Sequence, residues 1–154
     1  MNQAGPNSRF LVPPVYFLVA LLLMVFFHRV APWAQILEAP YRYAGIVLAA
    51  LALGLGAWAA VLFRRVGTDI RPFMPSTALV VAGPYKLTRN PMYLGMVLAL
   101  CGIAMLFGTL TPWLVIPLFA WWIDRRFIAQ EEVMLEEHFG ADYLEFKKRV
   151  RRWI

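Results

Sequence analysis

The sequence is poor in cysteine and in charged residues. Cys101 is its single cysteine, which excludes an internal disulfide, a zinc site built on cysteines and a two-cysteine redox motif. Charged residues make up 16% of the 154 positions, whereas 61% of the positions are apolar. Soluble domains carry roughly 25% charged residues, and a chain this short cannot bury so much apolar surface in one core. The composition therefore predicts a membrane protein that forms a single domain over residues 1–154.

The charge that is present is mostly positive, with 15 Lys and Arg against 9 Asp and Glu. In a soluble protein this excess would suggest a nucleic acid as partner. In a membrane protein it is typical of cytoplasmic loops that face anionic lipid. We therefore expect the lipid bilayer as a partner, and we expect the protein to bind neither a nucleic acid nor a metal ion.

Four apolar runs predict an all-α integral membrane fold with about four transmembrane helices. The last two runs are short and only residues 108–111 separate them, so we expect a tight helical hairpin there. The first run lies where a signal peptide would lie, but Pro13 and Pro14 interrupt it and no positive charge precedes Arg9. We predict that it is retained as a helix. The predicted spans are residues 10–27, 43–63, 91–107 and 110–123.

The second apolar run is rich in small residues, which allow helix backbones to approach closely in lipid. Within this run, residues 54–59 fit the dinucleotide-binding pattern G-x-G-x-x-A, but that fingerprint requires a strand, a turn and a helix. A match inside an apolar span is better explained by helix packing. The small residues are Gly45, Ala49, Ala52, Gly56 and Ala60.

Lys and Arg are unevenly distributed between the connecting segments. Residues 64–90 contain five and residues 124–154 contain seven, against two in residues 28–42 and none in residues 108–111. By the positive-inside rule, both termini lie in the cytoplasm together with the two basic segments. A site built from residues 64–90 and 124–154 is then cytoplasmic as well.

Residues 124–154 are predicted to form cytoplasmic amphipathic helices, with a break at Gly140. Beyond the break, four apolar residues recur at helical spacing among five basic residues. This pattern is typical of a helix lying on an anionic membrane surface. A nucleic-acid-binding patch is the alternative, and four membrane spans argue against it. The apolar residues are Tyr143, Phe146, Val150 and Trp153.

Glu131 and His138 fall on the apolar face of the helix that is predicted to follow Ile123. A carboxylate on such a face needs a partner, because an unpaired buried charge is strongly destabilising. Glu131 either forms a structural salt bridge to Arg89 or another loop arginine, or it binds a polar or cationic group of a ligand. The pattern leaves both open. For His138 a structural role at the membrane interface is the favoured interpretation.

Residues 83–95 are the second segment with many polar and aromatic side chains. Asn90 followed by Pro91 predicts an N-cap and the first turn of the third span. The free amides and the positive dipole end of that helix can then bind a carboxylate at the cytoplasmic interface. Tyr85 and Tyr93 fit either an aromatic belt at the membrane interface or a binding site that also includes the carboxylate on the later helix.

Two segments together resemble the signature of the isoprenylcysteine carboxyl methyltransferase and phospholipid methyltransferase family, over about residues 68–154. The resemblance implies an integral membrane enzyme that takes a methyl group from S-adenosylmethionine and yields S-adenosylhomocysteine. Its acceptor would be lipid-like or membrane-soluble, with a carboxylate, thiol or amine as the methylated group. The first segment is GPY at 83–85 with TRNPMYLG at 88–95; the second contains Glu131-Glu132, Leu135, Phe139-Gly140, Tyr143 and Arg149-Val150.

The resemblance also implies which residues contact the cofactor. Asn90 stands where many relatives carry histidine, so a titrating group is missing at this position. Asparagine can still cap the helix and donate a hydrogen bond. The implied cofactor-binding residues are Thr77, Ala78, Leu79, Val80, Tyr85, Asn90, Pro91, Met92, Tyr93 and Glu131.

The implied substrate and catalytic residues depend on the acceptor. Phe127 stands where prenylcysteine-specific relatives carry a substrate-contacting arginine, and the nearby Arg125 and Arg126 are the candidates for substrate binding. An anionic acceptor cancels the charge of the sulfonium in the transition state, whereas an amine must first lose a proton to a base such as His138 or Glu132. The candidates for catalysis are Arg89, Glu132 and His138.

Two alternatives come from other classes of protein. A non-catalytic membrane scaffold of the same fold would have lost cofactor binding, and the presence of the motif residues argues against it. A small four-span transporter usually places an ionisable residue inside a span, and the four apolar runs contain none.

Overall fold

The computed structural model of the chain describes residues 12–65, 67 and 78–154. Within these ranges the chain is helical and forms no strand, apart from an isolated bridge between Gln35 and Thr109. The predicted all-α fold is therefore confirmed for the described residues. The helices are α1 (Pro13–Val30), α2 (Ala44–Arg65), α3 (Pro91–Phe107), α4 (Val115–Ile123), α5 (Ala129–Phe139) and α6 (Ala141–Arg149).

Shorter helical turns connect these helices. A π-helical turn, Asp124–Ile128, joins α4 to α5 without a break, so the two form one continuous helical rod. The rod ends where predicted, at Gly140, whose φ of +51° stops α5. Single 3-10 turns precede α2, α3 and α4 at Tyr41–Tyr43, Gly83–Lys86 and Thr111–Leu114.

Two helices of the described chain, α1 and α2, are long and apolar enough to cross a membrane. α1 has 18 residues and the segment Tyr41–Arg65 has 25, yet only 17% and 11% of their apolar windows are buried. A core helix of a soluble protein would be mostly buried, so these exposed apolar side chains fit contact with lipid. α3 is apolar with 17 residues and α4 has 9. That these two also cross the bilayer stays a prediction.

α2 and α3 pack against each other through small residues; the sequence predicted close packing for the helix of the second run without identifying its partner. A Cβ atom on Gly45 would overlap the carbonyl oxygen of Gly102, and a Cβ atom on Gly95 would lie 2.7 Å from the carbonyl oxygen of Ala52. The two backbones therefore touch along the helix pair. Residues 54–59 lie inside α2, and no strand precedes them among the described residues, so the dinucleotide-binding pattern is excluded.

α3 and α4 form the predicted hairpin through a turn at Gly108. The backbone amides of Ile36 and Leu37 donate to the carbonyl oxygen of Gly108 at 2.8 and 3.0 Å. A Cβ atom on Gly108 would overlap the carbonyl oxygen of Leu37, and its φ is +73°, so space and conformation both require glycine. The hairpin turn lies at the end of α3, about 25 Å along the helix from Pro91.

The described apolar core forms two clusters. The first joins α1, α3 and α4, and it includes Met24, Leu100 and Ile123, none of which has any exposed surface. α1 is therefore an integral part of the packed fold. The second cluster joins α2, residues 80–85 and α6, and it places the segment before α3 against the helix that follows Gly140. Its buried members are Ala59, Val80, Tyr85, Tyr143, Phe146 and Val150.

The predicted membrane-surface helix is wrong in its length and in what covers its apolar face. α6 ends at Arg149, and Val150 is extended with φ −124° and ψ 130°. Tyr143 and Phe146 are buried in the second cluster instead of facing lipid, and Trp153 packs against the first cluster. Apolar spacing is the same whether a helix packs on lipid or on protein, so the pattern alone could not decide between them.

Candidate functional site

Tyr93 and Glu131 are joined by a short hydrogen bond. The Tyr93 hydroxyl donates to Oε1 of Glu131 at 2.6 Å. Tyr93 lies in the first turn of α3, because Pro91 starts that helix with a suitable φ and no amide proton to satisfy. Glu131 lies in the first turn of α5. The bond therefore ties together the beginnings of two helices that are 38 positions apart in the sequence.

Burial changes the acid–base behaviour of Glu131. Removal of the carboxylate from water raises its pKa above the ordinary value of 4.5, and the hydrogen bond from Tyr93 offsets this only in part. The structural salt bridge that the sequence left open between Glu131 and Arg89 is wrong, because Arg89 pairs with Glu132 instead. A phenol carries no charge to balance a carboxylate, so a cationic or hydroxyl-bearing ligand group would be favourable beside Glu131.

Tyr85 is buried near this pair, and its hydroxyl has no hydrogen-bond partner among the described residues. Burial and, next, the charge of Glu131 raise the pKa of Tyr85 well above its ordinary value, so the phenol keeps its proton. A buried hydroxyl without a hydrogen bond costs about 1–3 kcal/mol. The position therefore suits a ligand atom that accepts a hydrogen bond.

Glu132 is buried between two arginines. Nη2 of Arg89 lies 3.0 Å from its Oε1. Nε and Nη2 of Arg152 lie 2.9 and 2.5 Å from its Oε1 and Oε2, which is a two-pronged pair. Both carboxylate oxygens are therefore engaged in ion pairs. This arrangement favours a structural role for Glu132 over the role of a base.

Arg89 lies beside the buried hydroxyl of Tyr143 and has two donor atoms without a hydrogen bond in the described part of the chain. Its side chain is 9% exposed, and its Nε and Nη1 atoms are buried with no hydrogen-bond partner among the described residues. Guanidinium donors in the interior are costly unless an oxygen of a ligand or a water accepts from them. Of the three candidates for catalysis, Arg89 is therefore the one with unused hydrogen-bonding capacity inside the protein.

Sequence reasoning did not assign Asp124, Arg152 and Trp153 to the site. Nη1 of Arg152 lies 3.1 Å from Oδ2 of Asp124, and the indole Nε1 of Trp153 donates to Oδ1 of Asp124 at 3.1 Å. These partners are 28 and 29 positions apart, beyond the reach of any helical periodicity. The one signal in the sequence is that Asp124 is the first charge after an apolar run, where a carboxylate needs a partner.

Asn90 precedes α3, as the sequence predicts, but its side chain does not cap the helix. Its Nδ2 donates instead to the carbonyl oxygen of Arg152 at 3.0 Å, and its backbone amide donates to Oγ1 of Thr88 at 3.1 Å. The predicted side-chain cap is therefore wrong, because the side-chain amide of Asn90 donates to a carbonyl oxygen that is distant in the sequence. The first amides of α3 are left without a side-chain cap and can serve another acceptor.

Several predicted cofactor residues lie around Tyr85. Ala78 is half-buried, whereas Thr77 lies outside the described residues. Tyr93 follows Met92 directly and connects this set to Glu131 through its hydroxyl. The members that lie in or against the second cluster together with Tyr85 are Leu79, Val80 and Met92.

His138 and Arg125 are exposed, unlike the residues around Tyr85. His138 lies about 10 Å further along the helix than Glu131, and its ring contacts Phe139 edge-on with a centroid distance of 4.7 Å. The structure therefore does not bring His138 to the Tyr93–Glu131 pair.

The second candidate substrate arginine, Arg126, donates from Nη1 to Oε1 of Gln130 at 3.4 Å. Among the described residues, no group of three or more His, Cys, Asp or Glu is arranged to hold a metal ion.

Comparison with known families identifies the class of protein to which this fold and site belong. The phospholipid methyltransferase family model matches residues 40–142, which is more than half of the chain. The chain therefore belongs to the phospholipid methyltransferase family, a family of membrane methyltransferases that act on lipid-like substrates. This confirms the family that the segments around Tyr93 and Glu131 indicate in the sequence.

Two relatives show how far the similarity extends. A stretch of 63 residues is 38% identical to an uncharacterised protein of Haemophilus influenzae, and it covers 41% of this chain and all of that protein. A stretch of 72 residues is 33% identical to the protein-S-isoprenylcysteine O-methyltransferase of Schizosaccharomyces pombe. It covers 47% of this chain but only 30% of the yeast enzyme. No solved structure matches the chain.

Proposed function

We propose that this protein is an integral membrane methyltransferase that uses S-adenosylmethionine to methylate a lipophilic acceptor and yields S-adenosylhomocysteine. The observation that carries the proposal is the cluster at the beginnings of α3 and α5. There, the buried Tyr85 hydroxyl has no partner among the described residues, and Glu131 accepts a hydrogen bond from Tyr93. These residues come from the two segments that indicate the family. The residues that identify the methyltransferase family are therefore the same ones that we propose bind the cofactor.

The polar groups of the site are complementary to those of S-adenosylmethionine, whose sulfonium would supply the methyl group. The half-buried Glu131 carboxylate suits the ribose hydroxyls or the ammonium group, which are donors. The open donors of Tyr85 and Arg89 suit the carboxylate, as do the uncapped amides of α3. The faces of Tyr85 and Tyr93 suit a sulfonium cation. The residues present therefore fit this cofactor.

An apolar crevice supports a lipophilic acceptor. It has a volume of about 350 Å³ and lies between α1, α2 and α3. Met92 contributes both to this crevice and to the cluster around Tyr85, so the two are adjacent. An apolar lining within apolar helices suits a hydrocarbon chain. The lining includes Pro14 and Phe17 of α1, Ala52 and Gly56 of α2, and Met92 and Met96 of α3.

The positions of Glu132 and His138 favour an acceptor that is already anionic. Methyl transfer to an ammonium group first requires a base to remove its proton. Glu132 is engaged by two arginines, and His138 is exposed, about 10 Å along the helix from Glu131. A carboxylate or thiolate has no such proton, and a water-poor site favours its reaction with a cationic methyl donor. We therefore place a carboxylate or thiolate ahead of an amine.

The proposed location is a single domain in the membrane, with both termini and the cofactor site on the cytoplasmic side. Most basic residues lie in the segments that carry the site, which supports this orientation through the positive-inside rule. The exposed apolar faces of α1 and α2 support membrane insertion. The proposal includes α3 and α4 as a hairpin that enters the bilayer from the side of the site and has its turn, at residues 108–111, on the opposite side.

Calorimetric binding of S-adenosylhomocysteine to the detergent-purified protein tests this function. We expect the wild type to bind, and we expect Glu131→Gln to weaken binding by about tenfold or more, since one charge-assisted hydrogen bond is lost. Glu137→Gln is the matched control, because Glu137 is exposed on the same helix. If the folded wild type binds no cofactor, the proposal fails and a non-catalytic membrane scaffold of the same fold replaces it. If it binds, methyl transfer from radiolabelled cofactor to carboxylate, thiol and amine lipids identifies the acceptor.

A further inference from the structure

The segment that follows α6, residues 150–154, runs back to the beginning of α3, and we call it the tail. The carbonyl oxygen of Arg151 accepts from the amide of Arg89 at 3.0 Å. The carbonyl oxygen of Arg152 accepts from Oγ1 of Thr88 and from Nδ2 of Asn90, both at 3.0 Å. Three consecutive residues before Pro91 are therefore held by two carbonyl groups of the tail.

The side chain of Arg152 connects the tail to the other half of the site. Its guanidinium contacts Asp124 in the π-helical turn at 3.1 Å and makes the two-pronged pair with Glu132 in α5. Glu132 is the residue next to Glu131, and Asn90 lies three positions before Tyr93. One residue of the tail thus contacts both elements that carry the Tyr93–Glu131 pair.

The two-pronged pair has a consequence for Arg89. Because Arg152 occupies both oxygens of Glu132, Arg89 contacts that carboxylate through Nη2 only. Its Nε and Nη1 atoms stay buried and open. Without Arg152, the guanidinium of Arg89 would be free to turn and make the two-pronged pair itself, since this geometry is the preferred one for arginine and carboxylate. The open donors would then be lost from the site.

We propose that Arg152 is a positioning residue of the methyltransferase site, which keeps two donors of Arg89 open for a carboxylate group and fixes the beginning of α3 against α5. The identity of the ligand in this inference rests on the proposed function. The positioning of α3 against α5 rests on the contacts of Arg152 alone. Arg152 is itself 36% exposed at the side chain and is not required to touch the ligand.

Substitutions at neighbouring tail positions test this role through cofactor affinity. Arg152→Ala is expected to raise the dissociation constant for S-adenosylhomocysteine by about tenfold or more. Arg152→Lys restores the charge but cannot make the two-pronged pair. Its dissociation constant is therefore expected to be lower than that of Arg152→Ala by less than about threefold. Arg151→Ala is the matched control, because its side chain is exposed while its carbonyl group stays in place, and it is expected to bind within about twofold of the wild type.

A purely structural role gives a different result. In that case Arg152→Ala lowers the melting temperature, but the folded protein binds S-adenosylhomocysteine within about twofold of the wild type. Equal affinity of this kind would overturn the proposal. Full recovery by Arg152→Lys would overturn it as well, because charge alone would then account for the effect.

Hydrogen–deuterium exchange provides a readout that does not depend on the cofactor. In Arg152→Ala, amides of residues 89–94 and 129–133 are expected to exchange faster than in Arg151→Ala, while those of residues 97–107 are unchanged. A uniform increase over all helices, or no increase, would overturn the positioning role. If the wild type binds no S-adenosylhomocysteine, the proposed function fails, and this exchange pattern alone decides whether Arg152 positions the two elements.

Discussion

The hydroxyl of Tyr93 donates a 2.6 Å hydrogen bond to Glu131, from the first turn of α3 to the first turn of α5. The two segments that indicate the family in the sequence therefore meet in the structure, at this bond and at the ion pair of Arg89 with Glu132. Tyr85, which belongs to the first segment, lies close enough for the charge of Glu131 to raise its pKa. The cluster has one carboxylate and two phenols, and Met92 connects it to an apolar crevice. This is a chemically suitable place for a cofactor that carries a cation, hydroxyl groups and a carboxylate.

Tyr93→Phe removes the hydroxyl and leaves the half-buried Glu131 carboxylate without the hydrogen bond that it accepts. We expect the free energy of unfolding to fall by about 1–3 kcal/mol, since a buried acceptor loses its partner. We also expect S-adenosylhomocysteine affinity to fall by about tenfold. Thermal unfolding in detergent and calorimetry measure the two quantities. Tyr41→Phe is the control, because Tyr41 is 74% exposed; equal behaviour of the two variants would contradict the role of the Tyr93–Glu131 bond.

Cofactor binding is expected to depend on pH through Glu131. The carboxylate must be ionised to accept hydrogen bonds from ribose hydroxyls or to pair with an ammonium group, and burial raises its pKa above 4.5. We therefore expect affinity for S-adenosylhomocysteine to fall as the pH is lowered through that raised pKa, at a higher pH than for an ordinary glutamate. Calorimetry over a pH series measures this, and Glu131→Gln should show a flat profile over the same range. A wild-type profile as flat as that of the variant would contradict it.

The stability of the protein without cofactor should change with pH in the opposite direction to the cofactor affinity, because of the same Glu131 carboxyl group. A carboxyl group with a raised pKa in the folded state favours the protonated form there, so its contribution to the free energy of unfolding is fully present below the pKa of the unfolded chain. That contribution is lost as the pH rises from the unfolded to the folded pKa. Comparison of melting temperatures of the wild type and Glu131→Gln through this window checks the sign. A melting temperature that rises with pH only in the wild type would contradict it.

Local and pairwise patterns in the sequence predicted much of this structure. Small residues in the second run indicated that its helix packs closely against another helix, and Gly45 of α2 does bring its backbone into contact with Gly102 of α3. The Asn90-Pro91 pair predicted where α3 begins. The two segments together predicted the family, because their residue types and spacing can be recognised in the sequence without knowledge of the fold. These features depend on helical spacing, residue size or motif identity, all of which can be read from the sequence.

The remaining features depend on contacts between distant positions. Asn90 has the right identity for a helix cap, but the carbonyl oxygen of Arg152 takes its side-chain amide. Arg152 belongs to a basic cluster that resembles a membrane-binding surface, yet it pairs with Glu132, 20 positions earlier. No periodicity connects such residues, so their pairing follows only from the tertiary fold. The same holds for Glu131, whose partner among the available side chains could not be chosen from spacing.

Gly45→Ala is expected to destabilise the packing of α2 against α3. The added Cβ would overlap the carbonyl oxygen of Gly102, and overpacking of this kind costs about 1–3 kcal/mol. Gly54→Ala is a matched control in the same helix, since a Cβ atom there meets nothing within 4 Å. That variant should be neutral or gain about 0.5–1 kcal/mol from the lower entropy of alanine in the unfolded chain. Thermal unfolding in one detergent compares the two variants. Equal melting temperatures would show that the close approach of α2 and α3 at Gly45 contributes nothing to stability.

Glu132→Gln tests whether the buried ion pairs hold the elements of the site together. Glu132 is 7% exposed at its side chain and faces two arginines, so its neutralisation leaves buried positive charge uncompensated. We expect the free energy of unfolding to fall by about 3 kcal/mol. Glu136→Gln is the control on the same helix, because the ion pair of Glu136 with Lys147 has side chains that are 41% and 37% exposed, and it should cost at most about 1 kcal/mol. Denaturation in detergent measures both variants. Equal losses would mean that the Arg89–Glu132–Arg152 group contributes no more to stability than a solvated ion pair.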